Sequence, residues 1–551
     1  IGDLRLYKQD ETSEKMSRLF SNLVMDTVSE EFNDIKKLEE LEKEVKGHPL
    51  YNLFKEDVED AKNIVQGKIE NIKTVVAEQH GDRNAHNNKN LKFGFGNNNQ
   101  PTGIVARPGE TITVYVDVEE GKPLPQLMFS QQEGSFANWG RTVSLYPGKN
   151  VITVPKVTQE DGWYHHSVTP GGPVYIVNPY TAEEQGKAPV IRFAKGVEEF
   201  PTIDKNTNEV EFIKFLKEYK KRIDEDIEAN PDVMDRKVID TFELVADNVV
   251  ITGTVSGAYD AYVNQGFKPL DSLKMHNDHM NMLFEYQGID GRNEKNDIKY
   301  TRENIRLAQP YGYMYAAIGH IGVQRDVMSN ILTNVGGWGI DHEIGHKMDI
   351  GVRTIGEVTN NMLPQQSSYY YNKLNKRIPF ESHVYKNVIS TNSNKYADGE
   401  LAENLAVFWQ LEMIYPGYWA KLNSLYRENN VTLEEGNEYN DKLNKLAYYS
   451  SIALELDLTE YFERHGFWVS DETKEFAKRY NKPDKKIWYA NYDYIEYDGE
   501  GFTTEPTIKV TTSKEGENLK LNINIDKKSK SDLMGYEIYK NDELIAFTST
   551  N

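Results

Sequence analysis

The apolar residues of this chain change their spacing three times, and these changes limit what the chain can fold into. Residues 1–85 place apolar side chains three or four positions apart, which predicts a helical segment. One helix is predicted in "KMSRLFSNLVMDTVSEEFNDIKKLEELEKEV" and a second over "YNLFKEDVEDAKNIVQGKIENIKTVVAEQ". Residues 92–200 alternate apolar and polar side chains, as in "GETITVYVDVEEGKP", and this pattern predicts a small β-sandwich domain.

The rest of the chain is mixed and then returns to alternation. Residues 201–490 begin with a predicted helix, "TIDKNTNEVEFIKFLKEYKKRIDED", continue with strand-like "DNVVITGTVSGAY", and become mostly helical. Residues 503–551 alternate again, with a hairpin turn predicted at "KND", and indicate part of an immunoglobulin- or fibronectin-like β domain. Because 551 residues exceed what one core usually serves, the predicted class is a multidomain α+β protein.

Composition excludes several classes of partner and site. The formal net charge of −22 would repel phosphate backbones, so no nucleic-acid partner is expected. The chain has no cysteine, which rules out disulfides, thiolate zinc sites and cysteine nucleophiles. No apolar run reaches about 18 residues, so no membrane span is predicted.

The stretch "GGWGIDHEIGHKMD", residues 336–349, contains a His-Glu-x-x-His pattern. On a helix, His342 and His346 lie about 40° apart around the axis and about 6 Å along it, so both imidazoles can reach one metal ion. Glu343 is rotated about 100° from His342 and can hold a water at that ion. This is the general-base position of a zinc hydrolase, in which the carboxylate takes a proton from the water.

A third ligand is predicted 11 positions after His346. Glu357 stands at the head of an apparent second helix, and Asn361 follows it four positions later on the same helical face. In the gluzincin arrangement a Glu of the next helix completes the zinc site, and a polar residue one turn later orients a ligand histidine. Asp349 is an alternative orienting residue for a histidine. A second histidine pair, His276 and His279, lacks a convincing third ligand.

These motifs resemble the enhancin-like zinc metallopeptidases, a family shared by viral enhancins and bacterial mucin-degrading O-glycopeptidases. The resemblance rests mainly on the stretches "GGWGIDHEIGHKMD" and "GEVTNNM". Further support comes from "PTGIVARPGETITVYVD", "YIVNPYTAEEQGKAPVIRFAKG", "YGYMYAAIGHIGV" and "LAVFWQLEMIYPGYWAKLNSLYR". The resemblance spans residues 95–480 and is weak for the tail.

The resemblance implies a gluzincin catalytic domain, here the mostly helical residues 201–490, preceded by the β-sandwich. It implies one catalytic Zn²⁺ held by His342, His346 and Glu357, with Glu343 as the acid/base. The implied substrates are O-glycosylated proteins such as mucins, cut beside a glycosylated Ser or Thr. A secreted or surface-attached bacterial enzyme is therefore expected, with its signal peptide outside this chain.

Residues that contact substrate are predicted from aromatic character and position. Zincins bind substrate along an upstream edge strand, and Tyr311–His320 is placed to be that strand. Tyr313, Tyr315 and Trp338 could offer apolar faces to sugar rings, although tyrosines in a strand also serve as core. The residue that stabilises the oxyanion stays open among five side chains. They are Tyr369, Tyr370, Tyr371, His383 and Tyr396.

Two other functions remain open at this point. A general gluzincin protease would cut unfolded proteins without a glycan. A glycan-binding adhesin with an inactive peptidase domain would use the β domains, but the presence of His342, Glu343, His346 and Glu357 argues against a dead site.

Overall fold

The computed structural model describes residues 10–133, 139–157, 169–298, 300–308, 313–390, 396–492, 507–526 and 533–549. The chain divides into two compact units. The first contains Ile1–His86, Phe95–Asp278 and Lys299–Val335, and the second contains Asn87–Gly94, His279–Ile298 and Gly336–Asn551. Helices and several separate sheets confirm the predicted multidomain α+β class. Within the described ranges, no helix has the length and apolar character needed to cross a membrane.

The first unit begins with helices, but the single helix predicted over "KMSRLFSNLVMDTVSEEFNDIKKLEELEKEV" is wrong in its middle part, because no α-helix forms between Ser17 and Ile35. The helices are α1 (Glu11–Ser17), α2 (Ile35–Lys46) and α3 (Tyr51–Val65), followed later by the short α4 (Arg83–His86). Asp34 caps α2 by accepting the backbone N–H of Lys36 at 2.7 Å. Leu38, Leu41 and Val58 are buried in the core that these helices share.

The predicted second helix is wrong over its last part. α3 ends at Val65, Gly67 follows at φ 74°, and Lys73–Val76 forms strand β1. β1 pairs antiparallel with Val190–Lys195, more than 100 residues away in sequence. The β-branched residues of "KTVV" therefore form a strand, because pairing with a distant strand outweighs the helical spacing of the local sequence.

Two sheets form the predicted β-sandwich. Besides β1, their strands are β2 (Asn99–Ala106), β3 (Thr111–Asp117), β4 (Gln126–Ser130), β5 (Gly140–Ser144), β6 (Gly148–Thr153), β7 (Gly172–Val177), β8 (Val190–Lys195) and β9 (Glu198–Glu199), with helix α5 (Ala182–Gln185) before β8. One sheet has the order β1-β8-β3-β6 and the other β5-β4-β7-β2-β9. Ile112, Val114 and Val116 of β3 are fully buried in one core with residues of both sheets, as the alternation predicts.

A six-stranded mixed sheet completes the first unit. Its strands are β10 (Thr202–Ile203), β11 (Phe242–Val245), β12 (Val249–Gly253), β13 (Glu303–Leu307), β14 (Tyr315–Ala317) and β15 (His320–Val323), in the order β10-β11-β12-β13-β15-β14. The helices of this part of the chain are α6 (Glu209–Ala229), α7 (Val255–Tyr259), α8 (Pro269–Tyr286) and α9 (Met328–Thr333), and α8 passes from the first unit into the second after Asp278. The predicted edge strand Tyr311–His320 is correct only in part: β14 is an edge strand over Tyr315–Ala317, His320 begins the neighbouring β15, and Tyr311 lies outside the described residues.

The second unit is mostly helical. Its helices are α10 (Trp338–Lys347), α11 (Met362–Tyr370), α12 (Tyr385–Ile389), α13 (Leu401–Asn404), α14 (Ala406–Ile414), α15 (Tyr418–Glu428), α16 (Glu438–Leu454), α17 (Thr459–Arg464) and α18 (Asp471–Ala477). Trp409 of α14 and Trp419 of α15 are almost fully buried. These large apolar surfaces explain why the helices pack as one body.

The tail folds as two separate hairpins. β16 (Ile508–Glu515) pairs with β17 (Asn518–Ile525), and β18 (Gly535–Lys540) pairs with β19 (Glu543–Ser549). Asn541 and Asp542 both have positive φ, which confirms the predicted turn at "KND".

Candidate metal centre

Helix α10 presents the His-Glu-x-x-His residues. Gly337 is the N-cap residue and Trp338 begins the helix, so Trp338, His342 and His346 follow one another at four-residue steps along one side. His342 and His346 keep 19% and 29% of their side-chain surface exposed, and this side of the helix is therefore open.

Three side chains converge at this open side. The Nε2 atoms of His342 and His346 are 3.2 Å apart. The Glu357 carboxylate lies against both, with Oε2 3.1 Å from His342 Nε2 and Oε1 3.0 Å from His346 Nε2. Tetrahedral zinc with bonds of about 2.0–2.1 Å separates its ligand atoms by about 3.3–3.4 Å. Two imidazoles and a carboxylate at these spacings thus fit a zinc ion both in donor chemistry and in size.

A hydrogen bond to Asn361 leaves a lone pair on Nε2 of His342. Asn361 Nδ2 donates to the backbone oxygen of Glu357 at 2.7 Å, so Asn361 Oδ1 accepts from His342 Nδ1 at 2.6 Å. With its proton on Nδ1, His342 presents an unprotonated Nε2. The ring of His342 is thus held in the form that binds metal. Asn360 Nδ2 lies 3.2 Å from His346 Nε2.

Glu357 does not lie on a helix, in contrast to the prediction. It occupies a turn with φ 61°, and a 3-10 turn, Thr359–Asn361, precedes α11. The predicted helical face shared by Glu357 and Asn361 is therefore absent, and their contact runs from the Asn361 amide to the Glu357 backbone instead. A left-handed backbone is uncommon for glutamate, and such conformations concentrate at functional sites.

Asp349 holds this turn and contacts neither ligand histidine in the described hydrogen bonds. Its Oδ1 accepts from Arg353 Nη1 and its Oδ2 from Thr359 Oγ1, both at 2.6 Å. The alternative in which Asp349 orients His346 is thus not the arrangement in the structure. Asp349 instead connects the C-terminal end of α10 to the segment that carries Glu357.

Glu343 lies on the buried side of the same helix turn. It is 8% exposed, and its carboxylate is within 4.8 Å of the ring nitrogens of His342 and His346. A carboxylate at this position can exchange a proton with a water beside the histidines. The ligand atoms of His342, Glu343 and His346 are themselves close enough to one another to hold a metal.

Buried hydrogen bonds connect α10 to residues of α8 and α11. Asp341 Oδ1 contacts His279 Nε2 at 2.8 Å, and Asp341 Oδ2 accepts from Ser367 Oγ at 2.5 Å. His279 Nδ1 contacts the Tyr371 hydroxyl at 3.0 Å. His276 Nε2 instead contacts the backbone oxygen of Ile331. The second histidine pair is therefore engaged in hydrogen bonds and does not converge.

The predicted oxyanion residues differ in how free they are. Tyr371 is bonded to His279, and the almost fully buried Tyr396 donates to the Asn404 backbone oxygen at 2.6 Å. Tyr369 and Tyr370 keep 40% and 58% of their surface exposed. His383 Nδ1 lies 2.7 Å from its neighbour Ser382 Oγ. Tyr369, Tyr370 and His383 are the less constrained of the five.

The predicted substrate residues fall in both units. Trp338 is half-buried, and the Arg377 guanidinium lies 4.1 Å from its ring centroid. In the first unit, Tyr313 is 86% exposed, whereas the Tyr315 hydroxyl lies 3.0 Å from His320 Nε2.

Known proteins are similar to this chain in sequence and fold. Residues 233–466 match the family model of peptidase M60, enhancin and enhancin-like. No curated protein matches the sequence significantly. The solved ZmpB metallopeptidase from Clostridium perfringens is 30% identical, with a TM-score of 0.76, over 87% of this chain and 94% of that one.

Two further solved structures come from the same organism. The CBM32-1, CBM32-2 and M60 catalytic domains of ZmpB are 30% identical with a TM-score of 0.85, covering 98% of this chain. This chain spans only 56% of that structure. The M60 catalytic domain of ZmpC, solved in complex with the sialyl T antigen, is 29% identical with a TM-score of 0.74, over 87% of this chain and 93% of that one. The chain belongs to the enhancin and enhancin-like metallopeptidases of family M60.

Proposed function

We propose that this protein is a zinc endopeptidase that cleaves O-glycosylated, mucin-type proteins next to a glycosylated Ser or Thr. The observation that carries the proposal is the convergence of His342, His346 and Glu357 beside the Glu343 carboxylate. A family of metallopeptidases and a ligand set of two imidazoles and one carboxylate together favour zinc.

Each residue has a distinct role in the proposed reaction. His342, His346 and Glu357 hold the metal, and Asn361 keeps the His342 proton on Nδ1. Zinc at such a site acts as a Lewis acid and lowers the pKa of a water toward about 7. Glu343 takes a proton from the attacking water onto its carboxylate. It then delivers that proton to the nitrogen of the leaving amine.

Glycosylated substrates are supported by the relatives and by aromatic side chains. The ZmpC catalytic domain was solved with the sialyl T antigen. Trp338 begins the helix that carries both histidines, and helical geometry puts it about 6 Å along the axis from His342. We assign it as an apolar wall for a sugar. Such an enzyme would act outside the cell, secreted or attached to the bacterial surface.

The mechanism is tested by Glu343→Gln. This variant keeps the metal ligands and removes the proton acceptor, so we expect cleavage to fall at least about 100-fold with metal content unchanged. Chelation of the wild-type protein should abolish cleavage, and added zinc should restore it. Wild-type rates in Glu343→Gln would refute the mechanism, and purified protein without bound metal would favour the adhesin.

The substrate class is tested with matched peptides. One peptide carries a single O-glycan on threonine, and its partner has the same sequence without the sugar. We expect cleavage only of the glycosylated peptide, at the bond beside the modified residue. Equal cleavage of both peptides, or rapid hydrolysis of casein, would identify a general gluzincin protease instead.

A further inference from the structure

Two arginines of the second unit, Arg353 and Arg427, are fully buried, and only the first donates to a carboxylate in the described hydrogen bonds. Arg353 Nη1 donates to Asp349 Oδ1 at 2.6 Å. The described acceptors of the Arg427 guanidinium are all neutral oxygens. They are Asn296 Oδ1 at 2.9 Å, the Gln287 backbone oxygen at 2.7 Å and Ser424 Oγ at 3.4 Å. A buried cation without a counter-charge is costly, so a negative charge beside Arg427 would stabilise the fold.

The acids nearest to Arg427 on the surface are engaged with another cation. Asp290 and Glu428 lie 3.5 and 3.6 Å from the Arg292 guanidinium, and their side chains are 46% and 38% exposed. Water and salt screen charges at such positions. Burial and the nearby charge of Arg353 lower the pKa of Arg427 to about 9. Arg427 therefore still carries its positive charge at neutral pH.

One chain of hydrogen bonds connects the two buried guanidinium groups. Arg353 Nε donates to Asn423 Oδ1 at 2.8 Å, and Asn423 Nδ2 donates to Gln287 Oε1 at 2.6 Å. The backbone oxygen of Gln287 accepts from Arg427 Nη2. Asn423 and Arg427 also lie four positions apart on α15, on the same side of the helix. The two guanidinium groups thus belong to one buried cluster.

Three buried polar groups of this cluster have no hydrogen-bond partner among the described residues. They are Arg353 Nη2, Arg427 Nη1 and the hydroxyl of Tyr426, whose side chain is 2% exposed. A buried water can accept from such donors but leaves the second positive charge uncompensated. An anion accepts from the same donors and neutralises the charge as well.

A cavity of about 430 Å³ lies against the cluster. Tyr426 lines it together with Ile350, Gly351 and Val352, the residues directly before Arg353. The described lining contains one cation, the half-buried Lys92, and no acid. In a chain of net charge −22, an acid-free cavity beside buried arginines attracts anions.

We propose that Arg353, Arg427 and Tyr426 form a binding site for a small monovalent anion, such as chloride, that enters through this cavity past Lys92. The anion accepts hydrogen bonds from the two guanidinium groups and the hydroxyl. It thereby balances the charge that Asp349 alone leaves uncompensated.

The site connects anion binding to the metal centre. Arg353 bonds Asp349, and Asp349 accepts from Thr359 in the segment that carries Glu357. An anion that fixes Arg353 therefore also stabilises the position of a metal ligand. This dependence on chloride concerns stability and metal retention, so it holds whichever substrate the protein cleaves.

Exchange of the anion at constant ionic strength tests the site. Sodium chloride is replaced stepwise by sodium gluconate, whose anion is too large for a site of this kind. We expect the zinc-loaded wild-type protein to unfold about 2–4 °C higher in chloride than in gluconate, because chloride binds the folded state. Bromide should act as chloride does. Equal midpoints in chloride and gluconate would overturn the proposal.

Three variants locate the effect. Arg427→Gln removes one buried charge and one donor, so the difference between chloride and gluconate should disappear. Lys92→Gln leaves the cluster intact and should weaken chloride binding about threefold, since it removes one charge from the cavity. Arg479→Gln is the control, because Arg479 is an exposed arginine of the same unit and should keep the wild-type difference. A difference that survives in Arg427→Gln would place the chloride elsewhere and refute the site.

A direct measurement on the wild-type protein decides the case if Arg427→Gln does not fold. Crystals soaked in sodium bromide are measured at the bromine absorption edge. An anomalous peak within hydrogen-bond distance of Arg353 Nη2 and Arg427 Nη1 supports the site. Bromide at surface positions only, an adventitious ion only, refutes it.

Discussion

Close contact with a neighbouring backbone requires glycine at position 345, within the His-Glu-x-x-His pattern. A Cβ at this position would lie 2.1 Å from the backbone oxygen of Asn360. The 3-10 turn that carries Asn360 and Asn361 therefore packs directly on α10. The two asparagines reach His342 and His346 only because residue 345 has no side chain.

Gly345→Ala should weaken the site despite the better helix propensity of alanine. Alanine favours a helix over glycine by about 1 kcal/mol, but overpacking against backbone costs about 1–3 kcal/mol. We expect a lower thermal midpoint and less zinc per molecule after dialysis, measured by calorimetry and elemental analysis. Gly351→Ala is the control, because a Cβ there meets nothing within 4 Å. Full zinc retention in Gly345→Ala would contradict this account.

At the scale of elements, one buried ion pair connects α10 to the segment that carries Glu357. Asp349, 9% exposed, bonds both Arg353, which is fully buried, and Thr359. Arg353 Nε also donates to Asn423 Oδ1 at 2.8 Å, so this pair reaches α15 as well. The position of Glu357 depends on side chains from three segments, and the local sequence around it is not sufficient.

Asp349→Asn and Thr359→Val separate the two contacts of Asp349. Removing the Asp349 charge leaves a buried guanidinium uncompensated and should cost about 3–5 kcal/mol. Thr359→Val keeps the ion pair but removes the hydroxyl that donates to Asp349 and accepts the Ile355 N–H, and should cost about 1–3 kcal/mol. Denaturant midpoints of the metal-free proteins measure both. If the two variants lose the same stability, the ion pair is not what holds this segment.

At the scale of the whole molecule, a buried carboxyl in the first unit links stability to pH. Glu243 is fully buried on β11, and Tyr175 and Thr252 each donate to its Oε2 at 2.7 Å. Its Oε1 has no hydrogen-bond partner in the described residues. Burial raises the pKa of Glu243 from 4.5 to about 7, because the charged form loses its hydration.

This pKa predicts that stability falls as pH rises from about 4.5 to 7. In that window the folded Glu243 binds a proton that the unfolded chain has released, so the folded state is favoured at the acidic end. The effect is on the order of 3 kcal/mol. Glu243→Gln, a neutral isostere, should remove this dependence when unfolding midpoints at pH 5 and pH 7.5 are compared.

The contribution of His465 to stability changes with pH in the opposite direction to that of Glu243. The Glu243→Gln variant is therefore needed to separate the two contributions. Burial lowers the pKa of His465 to about 3, so its contribution to stability rises with pH between about 3 and 6.5. The wild-type profile contains both effects, whereas the difference between wild type and Glu243→Gln isolates the carboxyl. An unchanged difference between pH 5 and pH 7.5 would mean that Glu243 is ionised throughout.

Much of the fold follows from local pattern. The alternation in β3, the helical period of α6 and the turn at "KND" all predict the observed elements, since each depends on neighbours a few residues apart. Strand β1 was missed because its partner β8 lies far away in sequence. The local spacing of apolar residues carries no information about a strand partner that is distant in sequence.

For the candidate site, spacing along the chain is enough to show which side chains can share one ion. Four-residue spacing on a helix brings His342 and His346 together, and Glu357 and Asn361 follow within one short connection. How these side chains meet depends on the folded structure. It placed Glu357 in a left-handed turn, held that turn through Asp349, and stacked Arg377 on Trp338. These contacts join segments through side-chain charge and close packing, and such energies depend on three-dimensional neighbours rather than on spacing along the chain.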